Sequence, residues 1–482
     1  MINIFIGALI FSIWCVTLFF GKSIGLSMLL FIAPLTYYLI YILEKNKKIA
    51  NQKAKILIIP IILLASTYFI FNNSFFNSIN KIAIPTLLVI MIMGLNNEKI
   101  ELKFELIGKF FGMFLLPISF IEETFETLIK TLKEKLKINI ELSKKQKIKK
   151  VMKALGITIP LVLVVIILLS SADEIFANIF WEIYGIIFKG IAEMKVSTVI
   201  LKILLTACAF VYFICFFDYI TTRYEKTQDL QNEKKVKDNF TIKMILTTLN
   251  IIYLVFCYIQ IKSLFLKNVN INYAHYARQG FFQLMIVSII NLITILIAKK
   301  SEIPNEIQKN KYIKVMCLIM IAFTFIILIS SAVRMYYYES AYGYTLLRLL
   351  VYCTLLTETI LLIPTIIYII DKKINLLQAY FTTIITIYVL INFANFDNII
   401  AKRNVDRYIE TGKIDMYYLR LETGTDAVNQ IIRILENNEN EIVKQEAKQH
   451  LENLYDELEN KFDIREFNIS KMKAKTLIEK SK

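Results

Sequence analysis

The chain has 482 residues, 56% of them hydrophobic and 20% charged, with a mean hydropathy of +0.55. That balance excludes an ordinary soluble globular protein, whose apolar share is smaller, and leaves a low-dielectric solvent as the setting. A net charge of +16 in a soluble chain would point to nucleic acid; here the excess sits in short segments between apolar runs, where positive-inside topology accounts for it without a nucleic-acid partner.

Crossing a hydrocarbon core of roughly 30 Å takes about 20 helical residues at about 1.5 Å each. In chain order, apolar runs suited to this lie at 4–20, 24–43, 56–71, 82–95, 155–170, 196–217, 244–261, 281–298, 315–333, 346–370 and 377–393. The expected fold class is therefore all-α: a polytopic integral membrane helix bundle of about eleven transmembrane helices, with a small helical C-terminal tail. The third, fourth and fifth runs are short, as tilted or partly re-entrant segments are. The first has no basic leader and no small-residue cleavage site, so it reads as a retained span rather than a signal peptide.

Lysines crowd alternate connections, at 45–55, 130–153, 223–243 and 299–314 and at Lys372 and Lys373, whereas 21–23, 72–81, 171–195 and 262–280 carry little positive charge. This pattern predicts a multi-pass protein of the cell membrane with a cytoplasmic N-terminus. Between the fourth and fifth runs, residues 96–154 begin with an apolar piece at 110–120, interrupted by Pro117. They read as an interfacial helix followed by a basic helix at 123–150, either lying on an anionic leaflet or solvated between spans.

The domain division expected is 1–95 as a four-span unit, 96–154 as a basic connector, 155–397 as a seven-span core and 398–482 as a polar helical tail. In the tail, Asp426 is placed to cap a short helix, and Ile442, Ala447, Leu451, Leu454, Leu458 and Phe462 recur at helical spacing as one apolar face. Eleven spans put the tail on the extracytoplasmic side, while Lys402, Arg403 and Arg407 directly after the last span argue for the other.

Five stretches carry a resemblance: LLSSADEIFANIF from Leu168, LNIIYLVFCYIQIKSLF from Leu249, YAHYARQGFFQL from Tyr273, SAVRMYYYESAYGYTLLRLLVY from Ser331 and NFANFDNIIAKRNVDRY from Asn392. Over residues 155–427 the chain resembles an uncharacterised bacterial family of polytopic membrane proteins, the domain-of-unknown-function 4173/4153 type. The resemblance implies a membrane fold and brings no activity with it; nothing functional transfers to residues 1–154.

Span parity places the segments at Ser171, Tyr273, Arg334 and Asp397 on one membrane face. That face gathers Arg278, Arg334, Arg348, Arg403 and Arg407 with Tyr273, His275 and Tyr276, a set whose guanidinium forks suit phosphate or carboxylate. The partners in this reading are the bilayer with anionic lipid headgroups, or a small anionic solute. In the competing reading the same arginines pair with Asp173, Glu339 and Asp397 to fix helix ends.

Inside the bilayer Glu358 stands near the middle of the tenth run, a candidate proton or ion site or a neutral carboxyl bonded to a neighbouring helix. Asn250 and Gln260 in the seventh run and Gln283 and Asn291 in the eighth are expected to make interhelical hydrogen bonds. His275 and His450 are the only histidines, and the six cysteines lie within predicted spans without ligand spacing, so no metal and no cofactor are expected.

No nucleophile elbow, phosphate loop or zinc motif occurs in the sequence. The function expected is a non-enzymatic transporter-like, sensory or scaffold component, with a protein partner for the C-terminal tail. The alternative is a membrane-embedded transferase acting on a lipid-linked or anionic substrate.

Overall fold

The computed structural model describes residues 2–96, 117, 121, 123–128, 195–223, 239–265, 281–300, 311–370, 374–437, 440–458 and 463–481. Among them every regular element is helical and no strand occurs. The chain forms two compact units: Met1–Phe69 with Ser78–Leu230 and Phe462–Asn468, and Ile70–Asn77 with Gln231–Lys461 and Ile469–Lys482. These cut across the sequence order, because helices distant in the chain bury their apolar faces on one another.

The first unit draws on α1 (Ile2–Phe19), α2 (Leu26–Lys45), α3 (Ile58–Ile70), α4 (Ser74–Asn96) and α5 (Lys195–Asp218). Phe11 of α1 is its aromatic hub, with ring centroids 6.1 Å from Phe31, 5.3 Å from Tyr38, 6.4 Å from Phe213 and 6.3 Å from Phe217. Offset and edge-on aromatic pairs of this kind add to burial alone, so the sixth expected span packs against the first.

At one end of this unit Ala50 and Asn51 in the basic α2–α3 connection donate their backbone N–H to Leu95 O, 2.7 and 3.2 Å away. At the α1–α2 turn, residues 463–468 lie against the chain. Leu26 N–H donates to Phe467 O at 3.1 Å, Ser23 N–H to Glu466 Oε1 at 2.8 Å, and Arg465 to Thr17 O at 2.7 Å. Asn468 Nδ2 donates to Tyr68 O at 2.9 Å.

A Cβ on Gly25 would stand 2.7 Å from both the Glu466 carbonyl carbon and Phe467 O, backbone atoms that cannot rotate away. Gly25→Ala is therefore expected to release the 463–468 segment and raise the rate of tryptic cleavage after Arg465. An unchanged digestion rate would show that the segment yields without cost.

The third and fourth runs are longer as helices than the apolar runs themselves. A 3-10 turn at Gln52–Leu57 leads into α3 to give 19 residues, and α4 has 23. The fourth starts as early as Ser74 because the Asn73 side chain accepts the Phe76 N–H at 3.0 Å, capping the helix ahead of its apolar run. Residues 123–128, the start of the expected basic helix, are helical. Thr124 there is buried, its hydroxyl donating to Asp218 at 2.8 Å, so this part is packed rather than solvated.

The second unit holds α6 (Asn239–Phe265), α7 (Phe281–Lys300), α8 (Lys311–Tyr342), α9 (Leu346–Ile370) and α10 (Leu376–Phe393). At 32 residues α8 is about 48 Å long and outruns a bilayer core. It is the central helix, packed on α6, α7 and α9. Its core includes Cys317, Met320 and Ile327 of α8, with Ile295 of α7 and Leu355 of α9.

After α10 come α11 (Phe396–Thr411), α12 (Met416–Glu422), α13 (Val428–Asn437), α14 (Glu441–Leu458) and α15 (Ile469–Ser481). These share a core of their own around Ala401, Val405, Leu419, Ile431, Leu451 and Ile478. The tail is thus more than one apolar face. Of the residues expected on that face, Ala447 and Leu451 are buried and Leu454 and Leu458 pack partly, but Ile442 is 71% exposed; Phe462 lies outside the described residues. Asp426 lies within the 3-10 turn Thr425–Ala427 that leads into α13, and the N-cap of that turn is Gly424.

Seven described helices are long and apolar enough to cross a membrane, namely α1, α2, α3 with its leading turn, α4, α8, α9 and α10. Shorter apolar helical stretches lie at Leu205–Thr221, Lys243–Cys257 and Leu284–Ala298. The protein is a multi-pass membrane protein. The expected count of about eleven is not established, since run 155–170 and the side chains at the ends of α5, α6 and α7 lie outside the described residues.

Candidate functional site

The α8–α9 turn, residues 343–345, gathers several polar side chains of the second unit. A tight turn leaves carbonyls at the end of one helix and N–H groups at the start of the next without partners. Here α11 and α12 supply them. Tyr344 N–H donates to Asn404 Oδ1 at 2.9 Å, and Asn404 Nδ2 donates back to Tyr344 O at 2.8 Å. Leu346 N–H donates to the Tyr418 hydroxyl at 2.8 Å.

Two predicted arginines take the carbonyls: Arg407 donates to Ala341 O at 2.8 Å, and Arg348 donates to Gly343 O. Cations at the negative end of a helix dipole are stabilising. Arg348 also lies over the Tyr338 ring, 4.4 Å from its centroid, and Arg403 over Tyr344 at 5.9 Å. Arg334 is half-buried in α8. Glu339 is buried and meets the hydroxyls of Tyr344 and Tyr352; burial first, then this carboxylate, pushes the Tyr344 phenol up to about 12.

Asn404→Ala is expected to cost about 1–3 kcal/mol by leaving both backbone groups of Tyr344 unpaired. A denaturation midpoint equal to wild type would mean that water replaces the amide.

A second polar group joins the α3–α4 turn to the C-terminal helices. Asp397, 3% exposed in the first turn of α11, accepts from Asn73 Nδ2 at 2.6 Å and from Gly424 N–H at 2.9 Å. Asp426 accepts from Asn72 N–H at 2.9 Å. Among the described residues the charge that acts on Asp397 is the Asp426 carboxylate; Arg278, one of the two arginines expected as its partner, lies outside them. Burial, first, and then the Asp426 carboxylate push Asp397 up to about 6, against the pull of the Gly424 N–H and the Asn73 amide.

The third group lies within the membrane helices. Glu358, at the middle of the 25-residue α9 and 3% exposed, is hydrogen-bonded through Oε2 to Ser288 of α7. One turn along α7, Asn291 Nδ2 donates to Thr324 Oγ1 of α8 at 2.9 Å, and Asn250 Nδ2 of α6 donates to Met316 O of α8 at 2.9 Å. These are interhelical hydrogen bonds as expected, but both asparagines bond α8 rather than each other. Gln260 and Gln283 have no described side chains.

Tyr273, His275, Tyr276, Arg278 and Asp173 lie outside the described residues. Of the other candidates, Arg348, Arg403, Arg407 and Glu339 come together at the α8–α9 turn, Asp397 sits in the junction with Asn73 and Asp426, and Glu358 lies apart in the helical core. Asn404, Tyr418, Gly424 and Ser288 are contributors that sequence reading missed. Spacing carried a trace of two: Asn404 is three residues before Arg407, and Ser288 three before Asn291, which places each pair on one helix face. Among the described residues no three His, Cys, Asp or Glu side chains come together as metal ligands.

The family model described as a domain of unknown function, DUF4153, matches residues 58–434. The chain belongs to that family. The DUF4153 match reaches further toward the N-terminus than the motif-bearing stretch 155–427, taking in α3 and α4, and it ends within α13. It therefore contains all three polar groups, including Asn72 and Asn73. Neither a curated protein nor a solved structure matches the chain.

Proposed function

We propose that this DUF4153 protein is a non-enzymatic component of the cell membrane, transporter-like, sensory or scaffolding in kind. Its C-terminal helices stand on the extracytoplasmic side over arginine-rich helix ends, and its N-terminus is cytoplasmic. The observation that carries this reading is where the C-terminal residues attach. In the first unit residues 463–468 bond the α1–α2 turn; in the second, α11, α12 and residues 424–426 bond the α8–α9 and α3–α4 turns. The α1–α2 and α3–α4 turns belong to the connections poor in lysine, and residues 334–345 ahead of α9 contain none; positive-inside topology assigns such connections to the outside.

Arg407, which argued for the opposite side, is held against a helix-terminal carbonyl, and Arg403 lies over an aromatic ring. Charges engaged in this way are a weaker retention signal than free lysines. The ligand class that the remaining guanidinium donors suit is an anionic lipid headgroup or a small acidic solute.

Epitope tags inserted at Gln231 and after Lys482 test the topology in intact cells. The expected result is surface labelling of the C-terminal tag alone, with the Gln231 tag reached only after permeabilisation. A C-terminal tag protected in intact cells would overturn the reading.

A further inference from the structure

We propose that Glu358 is a proton-binding site: its carboxyl is held neutral against Ser288 at the α7–α9 contact and exchanges one proton during the protein's working cycle. The step is protonation of a carboxylate alone, so no bond to carbon forms or breaks and no electron is transferred.

Hydrogen-bond accounting carries the inference. The Ser288 hydroxyl has one proton and two acceptors within reach, Met285 O at 2.7 Å and Glu358 Oε2. An ionised Glu358 would have that one contested proton as its solvation, because Oε1 is buried and has no hydrogen-bond partner among the described residues. A neutral carboxyl resolves the contest: its own O–H donates to Ser288 Oγ, and the Ser288 proton goes to Met285 O. Leaving one carbonyl-type oxygen unbonded costs about 1–3 kcal/mol. Burying an isolated carboxylate costs far more.

Among the described residues of the helices around α9, no countercharge faces the group. Residues 244–261 of α6, 284–298 of α7, 315–333 of α8 and 376–393 of α10 contain no Asp, Glu, Lys or Arg, and Glu358 is the only one in 349–370 of α9. Among the described residues, Asn291 Oδ1, one turn from Ser288 on α7, and Asn250 Oδ1 of α6 are also buried without a hydrogen-bond partner, and both are acceptors. A transferable proton supplies the donor that this part of the core lacks. A bare metal cation would need several oxygens at once. The proposal holds whichever side the C-terminal helices occupy.

The test uses the full chain in lipid nanodiscs. Infrared difference spectra on alkaline pH jumps are expected to show loss of a buried carboxylic C=O band that is missing in Glu358→Gln and shifted in Ser288→Ala. Independently, a hydrophobic carbodiimide, which reacts with protonated acids, is expected to label wild-type Glu358 at a rate that falls as pH rises. This arm needs no variant to fold. No labelling across the pH range and no assignable band would overturn the proposal, and so would labelling suppressed by sodium at constant pH, which would mark a metal-cation site instead.

Discussion

Replacing Gly424 by alanine is expected to destabilise the second unit by about 2–3 kcal/mol, as overpacked sites do. A Cβ there would stand 2.4 Å from Asn72 O and 3.0 Å from Asp397 Oδ2. The first is a backbone atom, and the second already accepts the Gly424 N–H at 2.9 Å. Relief therefore means moving the α3–α4 turn away and stretching the bonds from Asn72 to Asp426 and from Asn73 to Asp397. Gly412→Ala is the control: that residue has φ +69° but nothing within 4 Å of its Cβ position, so only a backbone cost of roughly 1 kcal/mol applies. Thermal unfolding of both variants in the same detergent measures the difference, and equal melting temperatures would show that the close approach is not a constraint.

Acidification from neutral pH is expected to tighten the Asp397 junction. The folded-state value is raised from the ordinary 3.8 to about 6. A carboxyl raised on folding contributes stability that is fully present below its unfolded value and is lost as pH rises through its folded one. The window is therefore between about 4 and 6, with a ceiling of about 3 kcal/mol for a shift of this size. Asp426 is also raised by burial and acts in the same direction. His450 acts in the opposite direction: burial, then Arg420, lowers it, so charging it on acidification costs stability. The quantity to measure is thus the difference between wild type and Asp397→Asn as pH falls from neutral. Wild type is expected to gain on the variant across that window, and parallel profiles would remove Asp397 as the source.

How far each site was legible follows from the range of the interactions that build it. Glu358 could be picked out in the sequence because a carboxylate in an apolar run is costly wherever the helix goes. Its partner could not: Ser288 is one of many hydroxyls in apolar runs, and only the α7–α9 contact selects it. The arginines of SAVRMYYYESAYGYTLLRLLVY and NFANFDNIIAKRNVDRY were visible as a group, and parity brought their segments to one face. The bond from Arg348 to Gly343 O is local, but the use of Arg407 on Ala341 O depends on how α11 lies along the α8–α9 turn, which no spacing encodes. Asp397 was expected beside an arginine, yet its bonds go to an asparagine and a glycine from segments 324 and 27 residues away.

By itself the sequence determined the helical class, the membrane setting, the position of most spans and the alternation of basic connections, because each follows from hydrophobicity and charge summed over a local window. Tertiary structure alone decided that α1 packs on α5, that residues 398–481 carry a core of their own, and which turns that tail bonds. Those outcomes depend on shape complementarity and single hydrogen bonds between residues far apart in the chain, where the composition of either segment is compatible with many partners.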